Sequence, residues 1–524
     1  KDTLISNVEL DDLPNDSVTN LRNKSKHLIP GICFGKRGEF FCCHVLPSEH
    51  YFSLEGLAIP IEDSSSAKEM LGILNTPLAR STINRFCGQH KTSGYVNLFP
   101  YRPPNHAYEV RQLVDKAVLS NIKARIYDET QSFFLLQKMP PTISAYANAV
   151  YESIKSAWDN MKVCEEFCLK ESFEIYNVPQ HEKENVLSFQ ASQPNYEPPI
   201  DDADTELGCI NWALHSVISH AIGACFGRWD IRSSLSENNQ SIIPDPFSPL
   251  PKFPPGMMLD NQKRPVIVLN LPSNYPLVIA NDGILVDDPG VGDHSEPAPM
   301  DIMSRVESYI QLVWGDYQDS IVAEACQILG IKDLREYFRK PTGFFANHLK
   351  RYSKSRRQAP IYWPLSTASG NYTLWIYYQH LNSEILYTAI NRFVSPKIEQ
   401  VERYLDKLED DLAKIFGRSA GELRDKVDST QAFLTELNQF RTELLRVANL
   451  PYKPDLNDGV IINAAPLYKL FRLTKWSRDC QAVWEKLEVG EYDWAHMAYV
   501  MWPDRVREKC KSDKSLAIAH GLQE

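Results

Sequence analysis

The chain has 524 residues, and its 67 acidic residues against 56 Lys and Arg give a net charge of −11 at pH 7. That length suits roughly three to four domains, and no run reaches the ~20 apolar residues of a membrane helix or resembles a signal peptide. We therefore predict a cytoplasmic protein with no membrane partner. Eleven cysteines without a CxxC pair are typical of reduced thiols. The acidic balance argues against nucleic-acid binding unless the basic residues share one surface.

Residues 1–105 form the first predicted region, which opens with a polar segment over residues 1–27. Short apolar runs bounded by Gly and Pro predict strands at 40–46, 51–54 and 95–99, and a helical period predicts a helix over 67–87. Several side chains here have the chemistry that reads bases or phosphates, although each one alone is more often an ordinary surface residue. They are Lys36, Arg37, Arg80, Arg85, Gln89 and Lys91.

Residues 106–243 read as mainly helical. His215 and His220 lie on an apolar helix predicted over 207–228, and their spacing of five is not that of a metal-binding pair, so we interpret them as core histidines. Residues 244–300 hold twelve of the 34 prolines and predict an irregular, partly extended connector outside the core, with a turn at 281–289. Helical periodicity returns over 301–331.

The region 301–395 contains the most basic stretch of the chain, residues 335–381. Eight cations stand there against one carboxylate, Glu336. Two aromatic runs follow, at 361–363 and 372–378, and the turn residues between them predict a β-hairpin. A basic helix leading into a hairpin is typical of a surface for polyanions, although a solvated helix face gives the same pattern. The expected DNA contacts are Lys350, Arg351, Lys354, Arg356 and Arg357.

Residues 396–450 carry apolar side chains at alternating steps of three and four, with a Gly-containing turn at 417–421. This pattern predicts an antiparallel coiled-coil hairpin with arms of roughly 30 Å, or an ordinary pair of packed helices. Residues 451–524 read as a turn and short strand at 456–463 followed by helices. Four tryptophans are expected to anchor the core there: Trp476, Trp484, Trp494 and Trp502.

Three long strings resemble one family in the same order. They are GICFGKRGEFFCCHVLPSEHYFSLEGLAIP at 31–60, YFRKPTGFFANHLKRYSKSRRQAPIYWPLSTASGNYTLWIYY at 337–378, and YDWAHMAYVMWPDRVREKCKSDKSLAIAHG at 492–521. They are similar to the C-terminal half of the PglX (BrxX) DNA adenine-N6 methyltransferases of BREX phage defence, and of their DISARM and type IIG restriction-modification relatives. The resemblance implies an α/β target-recognition module over 1–105, double-stranded DNA as a partner, and contacts with other defence-system proteins.

The catalytic signature of such enzymes is [DN]PP[YFW], whose polar groups accept from the adenine amino group while the aromatic ring stacks on the flipped base. The nearest strings are MPPT at 139–142, EPPI at 197–200 and PPG at 254–256, and none fits. We therefore predict no catalytic, cofactor-binding or metal-binding residue. The resemblance implies that an upstream domain outside this chain binds S-adenosyl-L-methionine, and Lys1 in place of Met agrees with that expectation.

The sequence therefore predicts a fold of the α/β class (mixed α+β) and a role in DNA target recognition and binding. Under that interpretation the chain serves a SAM-dependent, site-specific adenine methyltransferase in anti-phage defence. The alternative is a non-catalytic specificity or scaffold protein that docks other defence components through its acidic surface and coiled coil. Salt dependence of DNA binding separates the two, because only phosphate contacts release counterions.

Overall fold

The computed structural model describes most of the chain, namely residues 26–52, 55–136, 138–191, 203, 205–235, 245–260, 264–265, 274–292, 296–354, 357–414 and 418–522. These residues form two compact units. Unit 1 contains Lys1–Pro140, Ser144–Ala213 and Ser236–Met257, and unit 2 contains Pro141–Ile143, Leu214–Leu235 and Met258–Glu524.

Unit 1 is built from a small antiparallel sheet and several helices. Strand β1 lies between β2 and β3, and its residue Ile32 pairs with Val45 on one side and Ile59 on the other. The strands are β1 Gly31–Gly35, β2 Cys43–Leu46 and β3 Gly56–Pro60. The helices are α1 Ser64–Leu74, α2 Pro77–Cys87, α3 Ser93–Val96, α4 Ala107–Arg125, α5 Ile143–Ile175 and α6 Gln180–Ala191.

The single helix predicted over 67–87 is two helices in the structure. Asp63 caps α1 by accepting from the Ser65 and Ser66 amides. Thr76 then caps α2, and Pro77 takes the first helical position, where its missing amide hydrogen costs no hydrogen bond. The buried faces of both helices complete the core under the sheet, together with Ile32, Phe34 and Phe41.

The predicted strand at 95–99 is wrong, because the chain makes the short helix α3 there. The Tyr95 and Val96 amides both donate to the Thr92 carbonyl. Val96 and Phe99 are buried whereas Tyr95 and Leu98 are exposed. Apolar residues three positions apart are typical of a helix. Over only five residues, this spacing is hard to distinguish from the alternating pattern of a strand. Of the strand predicted at 51–54, residues 51 and 52 are not in a strand and 53–54 lie outside the described residues.

Unit 2 has a second antiparallel sheet with the order β4-β8-β7. Its strands are β4 Ile284–Asp287, β7 Tyr362–Ser366 and β8 Thr373–Tyr377, and a separate two-stranded ribbon pairs β5 Ser353–Lys354 with β6 Arg357–Gln358. The predicted aromatic hairpin is confirmed, since Trp363 pairs with Ile376 and Leu365 with Leu374. All five residues of β8 are buried.

Strand β4 corrects the expectation of an irregular connector over 244–300. Its apolar residues Ile284, Leu285 and Val286 are at most 1% exposed and pair with β8. Proline density misled the prediction because 284–287 is a proline-free run between prolines. Proline density over a whole region does not exclude a strand in a short proline-free run within it.

The remaining helices belong to unit 2, except that the first of them enters this unit only at Leu214. They are α7 Glu206–Cys225, α8 Arg232–Leu235, α9 Ile302–Trp314, α10 Gln318–Leu329, α11 Arg335–Arg339, α12 Phe344–Arg351, α13 Ile385–Ala389, α14 Ser395–Leu412, α15 Arg418–Ala448, α16 Val460–Ala464, α17 Thr474–Glu488, α18 His496–Met501, α19 Pro503–Cys510 and α20 Lys514–Ala519. Together with the small sheets they give the mixed helix-and-strand architecture that the sequence predicts. Among the described residues, no helix combines the length and the apolar character that a bilayer crossing requires.

Helices α14 and α15 pack against each other where the heptads predict a helical hairpin. The α14 residues Ile398, Val401 and Leu405 are buried, as are Leu437 and Leu444 of α15. The arms are unequal, at 18 and 31 residues, or about 27 and 46 Å at the helical rise.

The strand predicted at 456–463 is wrong. Residues Leu456–Asp458 form a 3-10 turn, and α16 follows it. The buried Asn463 side chain donates to the Asp455 and Gly459 carbonyls, which closes the turn on the helix. Of the predicted tryptophan anchors, Trp476 is fully buried whereas Trp494 is 47% exposed.

Candidate nucleic-acid interface

The basic run at 335–357 does not form one charged surface. Arg335 donates to Asp287 and Asp301 at 2.5 and 2.7 Å, and Arg339 donates to Asp287 at 2.5 Å. Both aspartate side chains are at most 1% exposed. The Lys340 ammonium lies 2.8 Å from the carboxylate of Glu336, four residues earlier in the chain. Three of the eight cations therefore contact these carboxylates, and four others lie on α12 and on strands β5 and β6.

Arg335 and Arg339 belong to a buried ionic cluster of three acids and three bases, which are Asp287, Asp288, Asp301, Arg335, Arg339 and Lys397. Burial alone would raise the pKa of Asp301, but hydrogen bonds from Arg335 and from the Ser304 amide outweigh it and hold that pKa below its usual value. Asp301 also caps α9 through that amide. The cluster thus joins the end of β4 to α9 and α11, so these arginines stabilise the fold.

The second group of cations lies on α12 and on the β5–β6 ribbon, which we call the basic ribbon (residues 353–354 and 357–358). Lys354 and Arg357 are exposed and face each other as cross-strand partners. Lys350 is exposed and Arg351 half-buried at the end of α12, directly before the ribbon. Arg356 lies outside the described residues. Two exposed cations at paired positions of one ribbon are a local concentration of positive charge, which suits a polyanion.

The base of the basic ribbon is fixed by buried side chains. The His348 Nε2 atom accepts hydrogen bonds from the Ile361 and Tyr362 amides at 2.9 and 3.1 Å, which ties α12 to the start of β7. Arg228 donates to the Tyr352 hydroxyl and lies over the rings of Tyr352 and Trp229. The cations are therefore presented from an ordered support, which lowers the entropy cost of binding a ligand.

In unit 1, Lys36 and Arg37 follow β1 and share one carboxylate. Glu55 lies 3.5 Å from the Lys36 ammonium and 3.2 Å from the Arg37 guanidinium, and Arg37 is 72% exposed. The Gly38 amide donates to the Gln89 carbonyl at 3.2 Å, so the loop after β1 contacts the loop after α2. The structure thus brings Lys36, Arg37 and exposed Gln89 to one pair of loops.

The sequence groups Lys91 with side chains that could contact DNA, but the structure buries its side chain. It is 1% exposed, and its ammonium donates to the Gly38, Glu39 and Gly88 carbonyls. Burial lowers its pKa, while Cys87 and Glu39 act in the opposite direction. The side chain therefore fastens the two loops together, and it offers no exposed charge to DNA.

Arg85 is exposed in the last turn of α2, where a cation also interacts favourably with the helix dipole. It lines a groove of about 210 Å³ with Asn84 of the same helix and with Val186 and Phe189 of α6. The nearby Asn84 side chain accepts from the Phe41 amide and donates to the Glu39 carbonyl. Arg85 is thus beside the same loop that carries Arg37.

A larger cleft of about 460 Å³ opens in unit 2 between the end of α10, α11 and α12. We call it the α12 cleft. Its walls carry His215, Tyr337, Asn347 and two lysines, Lys340 and Lys350. Lys350 is thus shared between the cleft and the approach to the basic ribbon.

Within the described residues, one group has the arrangement of metal ligands. His106, Glu171 and Glu174 of unit 1 have ligand atoms within 4.8 Å of one another. The buried Glu171 accepts from both the His106 amide and its ring, and this hydrogen bond raises the pKa of His106. These bonds fix the start of α4, which accounts for the arrangement without an ion.

Comparison with known proteins gives the chain its chemical context. No family model matches it. Two adenine-specific methyltransferases do. BrxX of Escherichia coli O9:H4 (strain HS) is 29% identical over 199 residues, which cover 35% of this chain and 15% of that protein. PglX of Lacticaseibacillus casei (strain Zhang) is 26% identical over 316 residues, which cover 56% of this chain and 23% of that protein. The chain thus spans less than a quarter of the length of these relatives.

Sequence reasoning missed the buried ionic cluster and the basic ribbon. Asp287 and Asp288 end an apolar run, and acids that close a buried strand need cationic partners, so this signal was present. Pairing Arg335 with them would have reduced the apparent charge of the stretch. The ribbon is only two residues per strand, which is too short for a periodic pattern.

Proposed function

We propose that this chain binds double-stranded DNA for a site-specific adenine-N6 methyltransferase of a phage-defence system. The observation that carries the proposal is the cluster of exposed cations at the basic ribbon, in a chain similar to two adenine-specific methyltransferases. Under this proposal Lys350, Arg351, Lys354 and Arg357 contact phosphates. Such contacts position a protein on DNA without reading its sequence.

Base reading would fall to unit 1. Lys36, Arg37, Arg85 and Gln89 supply donors and an amide of the kinds that recognise guanine and adenine edges in the major groove. Their loops are held by the buried Lys91, so the side chains project from an ordered surface. Glu55 partly neutralises Lys36 and Arg37. Its carboxylate would also repel a phosphate group that came close to this loop.

The methyl donor, S-adenosyl-L-methionine, does not suit the α12 cleft. The cleft is lined by Lys340 and Lys350, and these ammonium groups repel the sulfonium charge of the donor. Under the proposal the donor binds a part of the enzyme outside this chain. The protein acts in the cytoplasm, and its other partners are proteins of the same defence system.

The test is duplex binding by a charge-reversal variant of the basic ribbon. The double variant Lys354→Glu plus Arg357→Glu should weaken the affinity of the 524-residue chain for a 30-base-pair duplex by at least about tenfold, because two phosphate contacts become repulsive. Fluorescence anisotropy at about 0.1 M salt, where the Debye length is near 10 Å, measures the effect.

The matched control is Lys407→Glu plus Lys414→Glu. Both lysines are exposed on or just after α14, and their reversal changes the net charge by the same amount. It should leave affinity nearly unchanged. Equal losses in the two variants would show a net-charge effect, and unchanged binding in the ribbon variant would contradict the proposal. Retained folding is checked by thermal melting.

A further inference from the structure

The α12 cleft has two chemically different parts. Its floor is the ring pair of His215 and Tyr337, whose centroids are 5.5 Å apart with an interplanar angle of 23°. Ile331 adds an apolar side chain to the wall. Its mouth carries the ammonium groups of Lys340 and Lys350, and Lys340 is 52% exposed.

The floor is neutral at physiological pH. Burial, together with the charges of Arg351 and Lys350, lowers the pKa of His215 to about 4, so the imidazole carries no charge. Its Nδ1 atom is hydrogen-bonded to the Tyr337 hydroxyl. Burial also raises the pKa of that hydroxyl, which therefore remains protonated. A neutral aromatic floor suits a planar, uncharged ring.

The mouth suits an anion. The Lys340–Glu336 pair is exposed on both sides, and exposed pairs of this kind contribute little to stability, so a phosphate can take Lys340 at small cost. Asn347 and Thr342 add an amide and a hydroxyl to the same wall. The cleft volume of about 460 Å³ lies within the usual range of small-molecule sites.

We propose that the α12 cleft binds a single nucleotide, with its phosphate at Lys340 and Lys350 and its base against the half-buried ring of His215, which the buried Tyr337 orients. The nucleotide has two sources with the same chemistry, a free mononucleotide or an unpaired nucleotide of bound DNA. The second source rests on the function proposed above, because Lys350 also lies at the approach to the basic ribbon. Aromatic faces accept any base, so the site discriminates weakly among the four.

The first arm of the test uses deoxyadenosine monophosphate as the probe, titrated calorimetrically into the 524-residue chain. Binding should fall at least about tenfold with Ala346→Phe, which fills the cleft, and the stacking of one base is worth about that factor. Asn347→Leu is the second variant, in case the larger ring prevents folding. Lys407→Glu plus Lys414→Glu is the control and should bind the mononucleotide as the parent does.

The second arm compares a fully paired duplex with one carrying a single unpaired nucleotide. If the nucleotide comes from DNA, the parent prefers the second duplex by about tenfold, and Ala346→Phe and Asn347→Leu remove that preference. If the natural ligand is a free mononucleotide, the cleft variants change only mononucleotide binding in the first arm, and this result also supports the site. Cleft variants that alter neither arm would overturn the inference.

If the chain does not bind duplex DNA through the basic ribbon, the two proposals give different experimental results. In that case Lys354→Glu plus Arg357→Glu leaves binding of the paired duplex unchanged, whereas mononucleotide binding still depends on Ala346 and Asn347. The two results are independent, because neither of those cleft residues belongs to the basic ribbon.

Discussion

Lys91 shows how one buried cation can order an exposed surface. Its ammonium donates to carbonyls of Gly38 and Glu39, after β1, and of Gly88, after α2. Its own amide also donates to the Lys36 carbonyl at 2.7 Å. The exposed side chains of both loops therefore depend on a residue that a ligand never touches.

Replacing Lys91 with Met should destabilise the protein by about 2 kcal/mol, because three carbonyls lose a charged donor in a buried position. The free energy of unfolding in urea gives this value. Arg85→Gln is the control on the exposed surface and should change it by less than about 0.5 kcal/mol. Equal, small effects of the two substitutions would show that Lys91 is not a structural link.

Three buried histidines in unit 2 make its stability depend on pH. Burial lowers the pKa of His215 to about 4 and that of His220 to about 3, and it places the pKa of His348 well below its usual value. Their positive neighbours, chiefly Arg228 and Arg351, act in the same direction. In the unfolded chain each histidine returns to a pKa near 6.5, so it takes up a proton on unfolding at mildly acidic pH.

Stability should therefore fall as pH drops below about 6.5, at about 1.4 kcal/mol per pH unit for each histidine, until its folded pKa is reached. His106 has a raised pKa and contributes with the opposite sign, since its stabilisation is present below pH 6.5 and is lost as pH rises. Urea unfolding at pH 7, 6 and 5.5 measures the sum. An unfolding midpoint that is the same at pH 7 and 5.5 would contradict this account.

At the scale of elements, the buried ionic cluster explains why Arg335 and Arg339 of the basic stretch do not form a binding surface. Arg335 reaches Asp287 at the end of β4 and Asp301 at the start of α9. In the same cluster, the Lys397 ammonium of α14 donates to Asp288 at 2.5 Å and to the Gly290 carbonyl. The cluster thus ties the long helical hairpin to the central sheet of unit 2.

Arg335→Met should destabilise the protein by about 3–5 kcal/mol, because it leaves buried carboxylates without a partner. Chemical unfolding followed by tryptophan fluorescence detects the change. Lys340→Ala removes an exposed i, i+4 pair nearby and should cost only about 0.5 kcal/mol or less. A loss below about 1 kcal/mol for Arg335→Met would mean that the aspartates find other partners.

The elements that the sequence predicts correctly are those whose local sequence pattern is long enough to specify the secondary structure without tertiary contacts. The aromatic runs flanking residues 367–370 specify the β7–β8 hairpin, and the heptads specify α14 and α15. Residues 95–99 and 456–463 were misread because runs of five to eight residues fit both periods. Strand β4 was missed because its pairing partner lies about 90 residues away, a contact that local reasoning does not contain.

The candidate site was predictable only in part, for a similar reason. Sequence chemistry selects cations but not their burial, so it groups Lys91, Arg335 and Arg339 with Lys354 and Arg357. The structure separates them, because the first three are held by carbonyls or carboxylates. Exposure at the basic ribbon is a property of the fold and could not be read from the charge run.

At the scale of the whole molecule, the net charge of −11 repels DNA at long range. Binding then depends on a few concentrated cations and on short distances, where the Debye length of about 8 Å at physiological salt lets local charge dominate. An acidic protein of this kind should bind DNA with a slow approach and a strong dependence on salt. A scaffold that docks proteins through its acidic surface should show neither on DNA.

The salt dependence of duplex binding tests this account most directly. With the four phosphate contacts proposed above, the logarithm of the association constant should fall with the logarithm of salt concentration at a slope of about −4. Lys354→Glu plus Arg357→Glu should make that slope shallower by about 2, one unit for each lost contact. A slope near zero for the parent chain, or an unchanged slope for the ribbon variant, would contradict DNA binding through the basic ribbon and favour the scaffold.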